Sequence, residues 1–153
     1  MDLILWRHAE ADETLEGVDD LQRALTKKGE RQAERMAGWL KRQLAASTRV
    51  LVSPAKRTQQ TASALERKFK TVDSLAPAGS VEDLLHAARW PDSRGPVLVV
   101  GHQPTLGVAA AYLLSGATAP WALRKGGVLW LRGREREGEL QVVLHAALSP
   151  DMV

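Results

Sequence analysis

The 153-residue chain contains no cysteine. That absence rules out disulfides and thiolate chemistry and takes away the usual ligands of a structural zinc site. No apolar run approaches the ~20 residues needed to cross a bilayer, so no membrane segment is expected. Only four apolar residues separate Asp2 from Arg7. That is too short for the core of a secretory leader, and a cytoplasmic setting is the expectation. There is no internal repeat, no low-complexity tract and no linker-like stretch, so residues 1–153 are expected to form one domain. Charge is nearly balanced, with 21 Lys and Arg against 18 Asp and Glu. The cations are dispersed or interleaved with acids, as in Arg132-Gly133-Arg134-Glu135-Arg136-Glu137, and no aromatic–basic platform is present. A nucleic-acid partner is therefore not expected.

The rest of the composition is ordinary, 44% hydrophobic and 25% charged, enough for a single sizeable core. Leu3–Trp6, Val50–Val52 and Val97–Val100 are short apolar runs that read as buried strands. Between the first two, Thr26 reads as an N-cap, and Ala33, Met36, Ala37, Leu40 and Leu44 recur at helical spacing. Lys28, Glu34, Arg35 and Lys41 occupy the opposite face. Ser53-Pro54 predicts a second helix, serine as cap and proline at its first position, running to about Phe69 with Ala62, Leu65 and Phe69 inward. Thr71 to Leu75 reads as a short strand. Ser80-Val81-Glu82-Asp83 opens a helix that must stop by Trp90-Pro91, and Pro104 opens another reaching about Leu114. Gly126–Leu131 and Leu140–Ala146 read as an edge hairpin joined through a charged, glycine-bearing connection. Ala11 to Leu21 has no period and reads as a loop. This alternation predicts an α/β fold: a single three-layer domain, a mostly parallel sheet with helices on both faces.

In such sheets ligands bind beyond the carboxyl ends of the strands. Here Leu3–Trp6 runs into Arg7-His8, Val50–Val52 into Ser53-Pro54-Ala55-Lys56-Arg57, and Val97–Val100 into Gly101-His102. Three strand ends delivering Arg7, Arg57, His8 and His102 read as one site, suited to an anion and most simply to phosphate. Arg57 falls in the first turn of its helix, where backbone N–H groups also favour an anion. His86 and His145 follow the amphipathic periods of their elements and read as structural.

From Leu3 to about Leu114 the chain resembles the histidine phosphatase superfamily, and more closely its short SixA-type phosphohistidine phosphatases. The resemblance rests on Arg7-His8, Arg23-Ala24-Leu25-Thr26-Lys27-Lys28-Gly29, Ser53-Pro54 to Thr61, and Gly101-His102, in that order. The chain departs from the family signature at Ala9, where the superfamily carries glycine. The resemblance implies a phosphoglycerate mutase-like fold and a metal-independent phosphatase acting through a phosphohistidine intermediate. Its implied partner is a phosphohistidine-bearing signalling or phosphotransfer protein, such as a phosphotransfer domain. Phosphate or sulfate is expected to fit the same pocket, and mild positive charge would steer a phosphorylated partner to it.

Residue chemistry fits those roles. Neutral imidazole offers an unprotonated nitrogen near pH 7, which makes His8 the candidate nucleophile. Arg7 and Arg57 can bind phosphoryl oxygens with fork-like charge-assisted bonds. His102 can donate to an equatorial oxygen as charge redistributes. No metal and no other cofactor is expected: no third ligand has metal spacing, and adjacent arginines repel a cation.

A general acid is less evident. Larger phosphatases of the superfamily carry one after a middle strand, and the matching Leu75-Ala76-Pro77-Ala78-Gly79 has no carboxylate. Glu10 and Asp20 are the candidates, Asp20 also being placed to pair with Arg23. An acid-poor site suits a leaving imidazole, whose protonated-ring pKa of about 6.5 lies far below that of an alcohol. Short connections predict an open, shallow pocket able to admit a side chain of another protein. The alternatives are a phosphatase of small phosphate esters or nucleotide-derived metabolites, with Glu10 or Asp20 as acid, and a catalytically silent phosphate-binding module.

Overall fold

Side-chain alternation along three central strands decides the architecture. The computed structural model describes residues 1–153 and contains one six-stranded sheet. Its strands are β1 (Asp2–Arg7), β2 (Arg49–Val52), β3 (Lys70–Thr71), β4 (Val97–Gly101), β5 (Val128–Arg136) and β6 (Glu139–Leu148). They lie in the order β3-β2-β4-β1-β5-β6, with β1 to β4 parallel and β5 antiparallel to both its neighbours. The helices are α1 (Lys27–Gln43), α2 (Lys56–Ser63), α3 (Val81–Ala88) and α4 (Thr105–Ser115).

Successive strand residues point to opposite faces. Leu3, Leu5, Leu51, Val97 and Val99 meet Leu84 of α3 and Leu106, Ala109 and Ala110 of α4 in one core. Ile4, Trp6, Val50, Val52, Leu98 and Val100 meet Met36, Ala37 and Leu40 of α1 and Ala62 of α2 in the other. The result is the expected three layers, α1 and α2 on one face and α3 and α4 on the other.

Several expected boundaries move. α1 begins as read, with the Thr26 hydroxyl accepting from the Gly29 N–H at 3.0 Å. α3 also begins as read, with Ser80 and Asp83 forming a reciprocal capping box. α2, however, starts at Lys56 and not behind Ser53, and it ends at Ser63, well short of Phe69. Its end tightens into i→i+3 bonds, Ala64 to Thr61, Leu65 to Ala62 and Glu66 to Ser63, and Glu66 turns left-handed at φ 55°. Leu65 and Phe69 still pack on the α1/α2 core, so burial survives where the helix does not. β3 covers only Lys70–Thr71, and Asp73–Leu75 forms a 3₁₀ turn in place of the expected longer strand. Pro104 sits one position before α4.

The last two strands do form a hairpin, but a longer one. The charged stretch read as a connection is part of β5, and the turn is only Glu137-Gly138, both with positive φ as a two-residue hairpin loop requires. β5 is not an edge strand: it pairs with β1 and buries Val128 and Leu131. No helix is long and apolar enough to cross a membrane.

Candidate active site

Register brings the three strand ends to one edge of the sheet. β1 and β4 pair with Arg7 opposite Gly101, and β2 and β4 pair with Val52 opposite Val100. His8, Ser53 and His102 therefore leave the sheet side by side. The His8 and His102 rings lie 5.4 Å apart, centroid to centroid.

The backbone around His8 is held from three directions. Its N–H donates to the Gly101 carbonyl at 3.2 Å, and its carbonyl accepts from the Gly126 N–H at 3.0 Å. The Ala9 N–H donates to Thr61 Oγ1 at 3.1 Å, and the Thr61 hydroxyl donates to the Arg57 carbonyl at 2.7 Å, linking the β1 exit to α2. Ala9 is fully buried and clusters with Leu25 and Ala33, so its methyl packs toward α1.

His8 Nδ1 lies 2.7 Å from the Ala9 carbonyl oxygen. A carbonyl only accepts, so Nδ1 carries the proton and Nε2 keeps its lone pair. Burial pulls the His8 pKa down to about 4; the Ala9 hydrogen bond opposes that shift, and Arg57, Arg7 and Arg23 add to it. Burial likewise takes His102 down to about 3, with Arg57 and His8 next in effect. Both rings are neutral at physiological pH.

Each guanidinium group is held by an acceptor from a loop at the site. Arg7 Nη1 donates to the Leu123 carbonyl at 2.7 Å. Arg57, only 3% exposed, donates through Nη1 to the Asp20 carbonyl at 2.8 Å and through Nη2 to Asp20 Oδ2 at 3.1 Å. Arg7 Nε, Arg57 Nε and His102 Nδ1 are buried and have no partner. Buried donors without acceptors are rare in proteins. A tetrahedral oxyanion has acceptor oxygens for a donor set of this kind.

The two candidate acids are both engaged. Glu10 Oε2 accepts from the Thr26 hydroxyl at 2.7 Å, at the start of α1. Asp20 Oδ1 accepts from Arg23 Nε at 2.9 Å while Oδ2 meets Arg57. Burial alone would raise the Asp20 pKa, but the bond to Arg23, the charge of Arg57 and the bond to Arg57 hold it below the ordinary carboxylate value. The expected loop over residues 11–21 is exposed from Asp12 to Asp19 and closes on the site through Asp20. The acid-free segment read after the middle strand does reach the site: Leu75, Ala76 and Gly79 line a small cavity shared with His102.

Two contributors escape a sequence reading. Ser53, read as a helix cap, is fully buried; its Oγ lies 2.7 Å from His102 Nε2 and accepts from the Ala55 N–H at 3.2 Å. Its position at the end of β2 was the available signal. Leu123 acts through a main-chain carbonyl, for which side-chain chemistry gives no signal. His86 and His145 lie exposed on α3 and β6, away from this cluster, and the His145 ring packs tilted against Trp130 with centroids 5.2 Å apart.

With this geometry in place, comparison with known proteins is informative. The family model for the histidine phosphatase superfamily, branch 1, matches residues 3–79. Phosphohistidine phosphatase SixA of Escherichia coli strain K12 is 34% identical over 129 residues, covering 78% of each chain. The structure of a protein histidine phosphatase SixA complexed with tungstate superposes with a TM-score of 0.77 at 27% identity, covering 99% of both chains. A phosphoserine phosphatase from Entamoeba histolytica, solved as an H9A mutant with phosphoserine, shares the fold with a TM-score of 0.68 at 17% identity over 97% of each chain.

Proposed function

Since the chain belongs to the histidine phosphatase superfamily, branch 1, we propose that it removes the phosphoryl group from phosphohistidine on a partner protein, through a covalent phospho-His8 intermediate. Membership and the SixA likeness support phosphatase activity; the substrate, the residue roles and a cytoplasmic setting are our reading. The observation that carries it is the His8 tautomer: Nδ1–H is committed to the Ala9 carbonyl, which leaves the Nε2 lone pair free.

In this reading Nε2 attacks phosphorus as the bond to the substrate ring nitrogen breaks. Arg7, Arg57 and His102 hold the phosphoryl oxygens, and the unpaired arginine Nε–H groups, with His102 Nδ1 in the tautomer that carries its proton there, take up the charge that develops. A substrate ring protonated on its other nitrogen departs as neutral imidazole, so no proton need be delivered to it. Water then attacks phospho-His8, the P–N bond breaks, and phosphate leaves. The state of the two carboxylates supports this substrate over an ester. Asp20 is kept ionised by Arg23 and Arg57, and Glu10 is tied to Thr26, so neither is poised to protonate an alkoxide.

The test is phosphate release from a phosphohistidine peptide in excess EDTA, with wild type and His8→Ala side by side. Turnover in EDTA that disappears in the variant is the expected result. Release from phosphoserine or small esters but not from phosphohistidine would overturn the substrate assignment. Phosphate binding without any turnover would identify a silent binding module.

A further inference from the structure

We propose that the groove beside the site docks an acidic protein segment lying next to the phosphorylated histidine; this deepens the phosphohistidine reading and rests on it. The groove has a volume of about 590 Å³ and no hydrophobic side chain in its lining. Lys28, Arg31 and Arg35 of α1 form one wall, and Arg124 and Lys125 form the other. Its two acids are Glu10 and Asp151.

The groove and the site share their backbone. Glu10 follows Ala9, and its N–H donates to Gln32 Oε1 of α1 at 2.9 Å. Arg124 follows Leu123, whose carbonyl holds Arg7. One residue beyond Lys125, the Gly126 N–H donates to the His8 carbonyl. A chain lying in the groove thus runs up to the residues flanking the proposed nucleophile.

Its positive charge is only partly offset within the molecule, by Asp151 acting on Arg124 and Arg35. Lys28, Arg31, Arg124 and Lys125 take part in none of the four ion pairs, which join Arg23 and Arg57 to Asp20, Lys41 to Glu66, and Arg132 to Asp2. Five cations face two acids, and the acids' hydrogen bonds go to hydroxyls: Glu10 accepts from Thr26, and Asp151 accepts from Ser149. Only Arg35 is anchored, donating to the Val153 carbonyl. The arrangement has local costs for the helix, although Arg31 also has Glu34 at i+3. Lys28 stands in the first turn, where the macrodipole disfavours a cation, and Arg31 and Arg35 are a like-charged i,i+4 pair. A cationic cluster with an excess of positive charge, most of it outside any close ion pair and beside the proposed phosphoryl site, is suited to an external anionic partner.

A protein fits better than a nucleic acid or a lipid surface. No aromatic side chain lines the groove to stack a base. Glu10 and Asp151 would oppose a continuous phosphate backbone, whereas spaced carboxylates on a peptide can settle between them. Apart from Pro150 the lining is polar and gives no purchase for acyl chains.

The experiment compares two phosphohistidine peptides of equal length, one with Asp and Glu flanking the phosphohistidine and one with Ala and Ser. It uses free phosphohistidine as the reference. For wild type at low ionic strength, kcat/KM should favour the acidic peptide about tenfold, through KM, and high salt should abolish the preference. The double variant Arg31→Glu, Lys125→Glu should lose that preference while turning over free phosphohistidine like wild type, which also reports that it is folded. Equal kcat/KM on the two peptides, or a preference unchanged in the double variant, would overturn the docking surface alone. Failure on all three substrates would overturn the phosphohistidine reading and this one with it. Inhibition by single-stranded DNA or polyphosphate stronger than by an unphosphorylated acidic peptide, and lost in the double variant, would replace the protein segment with a polyphosphate.

Discussion

Asp20 occupies Arg57 with both its side chain and its main chain, at 3.1 and 2.8 Å, in a protein whose proposed ligand needs the same guanidinium. In the proposed reading its carboxylate competes with phosphate for Arg57 and does not donate a proton. Replacing it separates the two roles. Asp20→Asn should tighten competitive inhibition by inorganic phosphate by up to about fivefold, since a pair whose carboxylate is 44% exposed is worth at most about 1 kcal/mol. A general acid would behave differently, with kcat falling by roughly a hundredfold or more and phosphate affinity unchanged. Steady-state kinetics with phosphate as inhibitor distinguishes them. At this scale much of the site was legible. Arg7, His8, Arg57 and His102 stand directly after apolar runs or in the helix turn that follows one, and the sheet register carries them to a common edge. Ser53 was legible only as a cap, because Ser-Pro before a helix has a local explanation that hides its contact with His102 across 49 residues. The Leu123 carbonyl had no signal at all.

α1 is the element on which the site's geometry depends most closely. Its first turn lies against the β1 exit so tightly that a Cβ on Gly29 would fall 1.9 Å from the Glu10 carbonyl oxygen. Backbone on both sides leaves no flexible side chain to move aside. Gly29→Ala should therefore lower stability by about 2–3 kcal/mol, as overpacking does, in spite of alanine's better helix propensity. It should also lower kcat by shifting the Ala9–Glu10 backbone that fixes the His8 tautomer. Urea unfolding and turnover of free phosphohistidine check both, and a stabilised, fully active variant would contradict the packing described. Elements differ in how well their sequences announce them. α1 carries a cap and a sustained 3.6-residue period, so it read correctly. The end of α2 did not, because Leu65 and Phe69 keep their burial after the backbone has turned. β5 was cut short because its outer half bears Arg132, Arg134 and Arg136, exposed positions with no apolar alternation to follow. Its place beside β1 is a tertiary fact with no local signature.

For the whole molecule, the two site histidines make stability depend on pH in a defined window. Unfolded, both rings titrate near 6.5; folded, they resist protonation down to about 4 for His8 and about 3 for His102. Between these values the unfolded chain binds more protons, so stability rises with pH there. The contribution is complete above pH 6.5 and is lost as pH falls through 6.5 toward 4 and then 3. The lowered carboxylates Asp2 and Asp20 act below their ordinary 3.8, so the upper part of the window belongs to the histidines. Urea midpoints measured from pH 7.5 to 5 should fall more steeply for wild type than for the His8→Gln, His102→Gln double variant. Parallel slopes would show that the rings are not held neutral by the fold.

The position of β1 has a further consequence, for synthesis. β1, which carries the proposed nucleophile, is made before β4 and β5, yet it lies between them, and they follow some ninety and more residues later. The bonds that fix His8 come from Gly101 and Gly126, and the acceptor for Arg7 is Leu123. Until those segments emerge, none of these bonds can form. The proposed chemistry therefore cannot begin on a nascent chain before Gly126 has emerged.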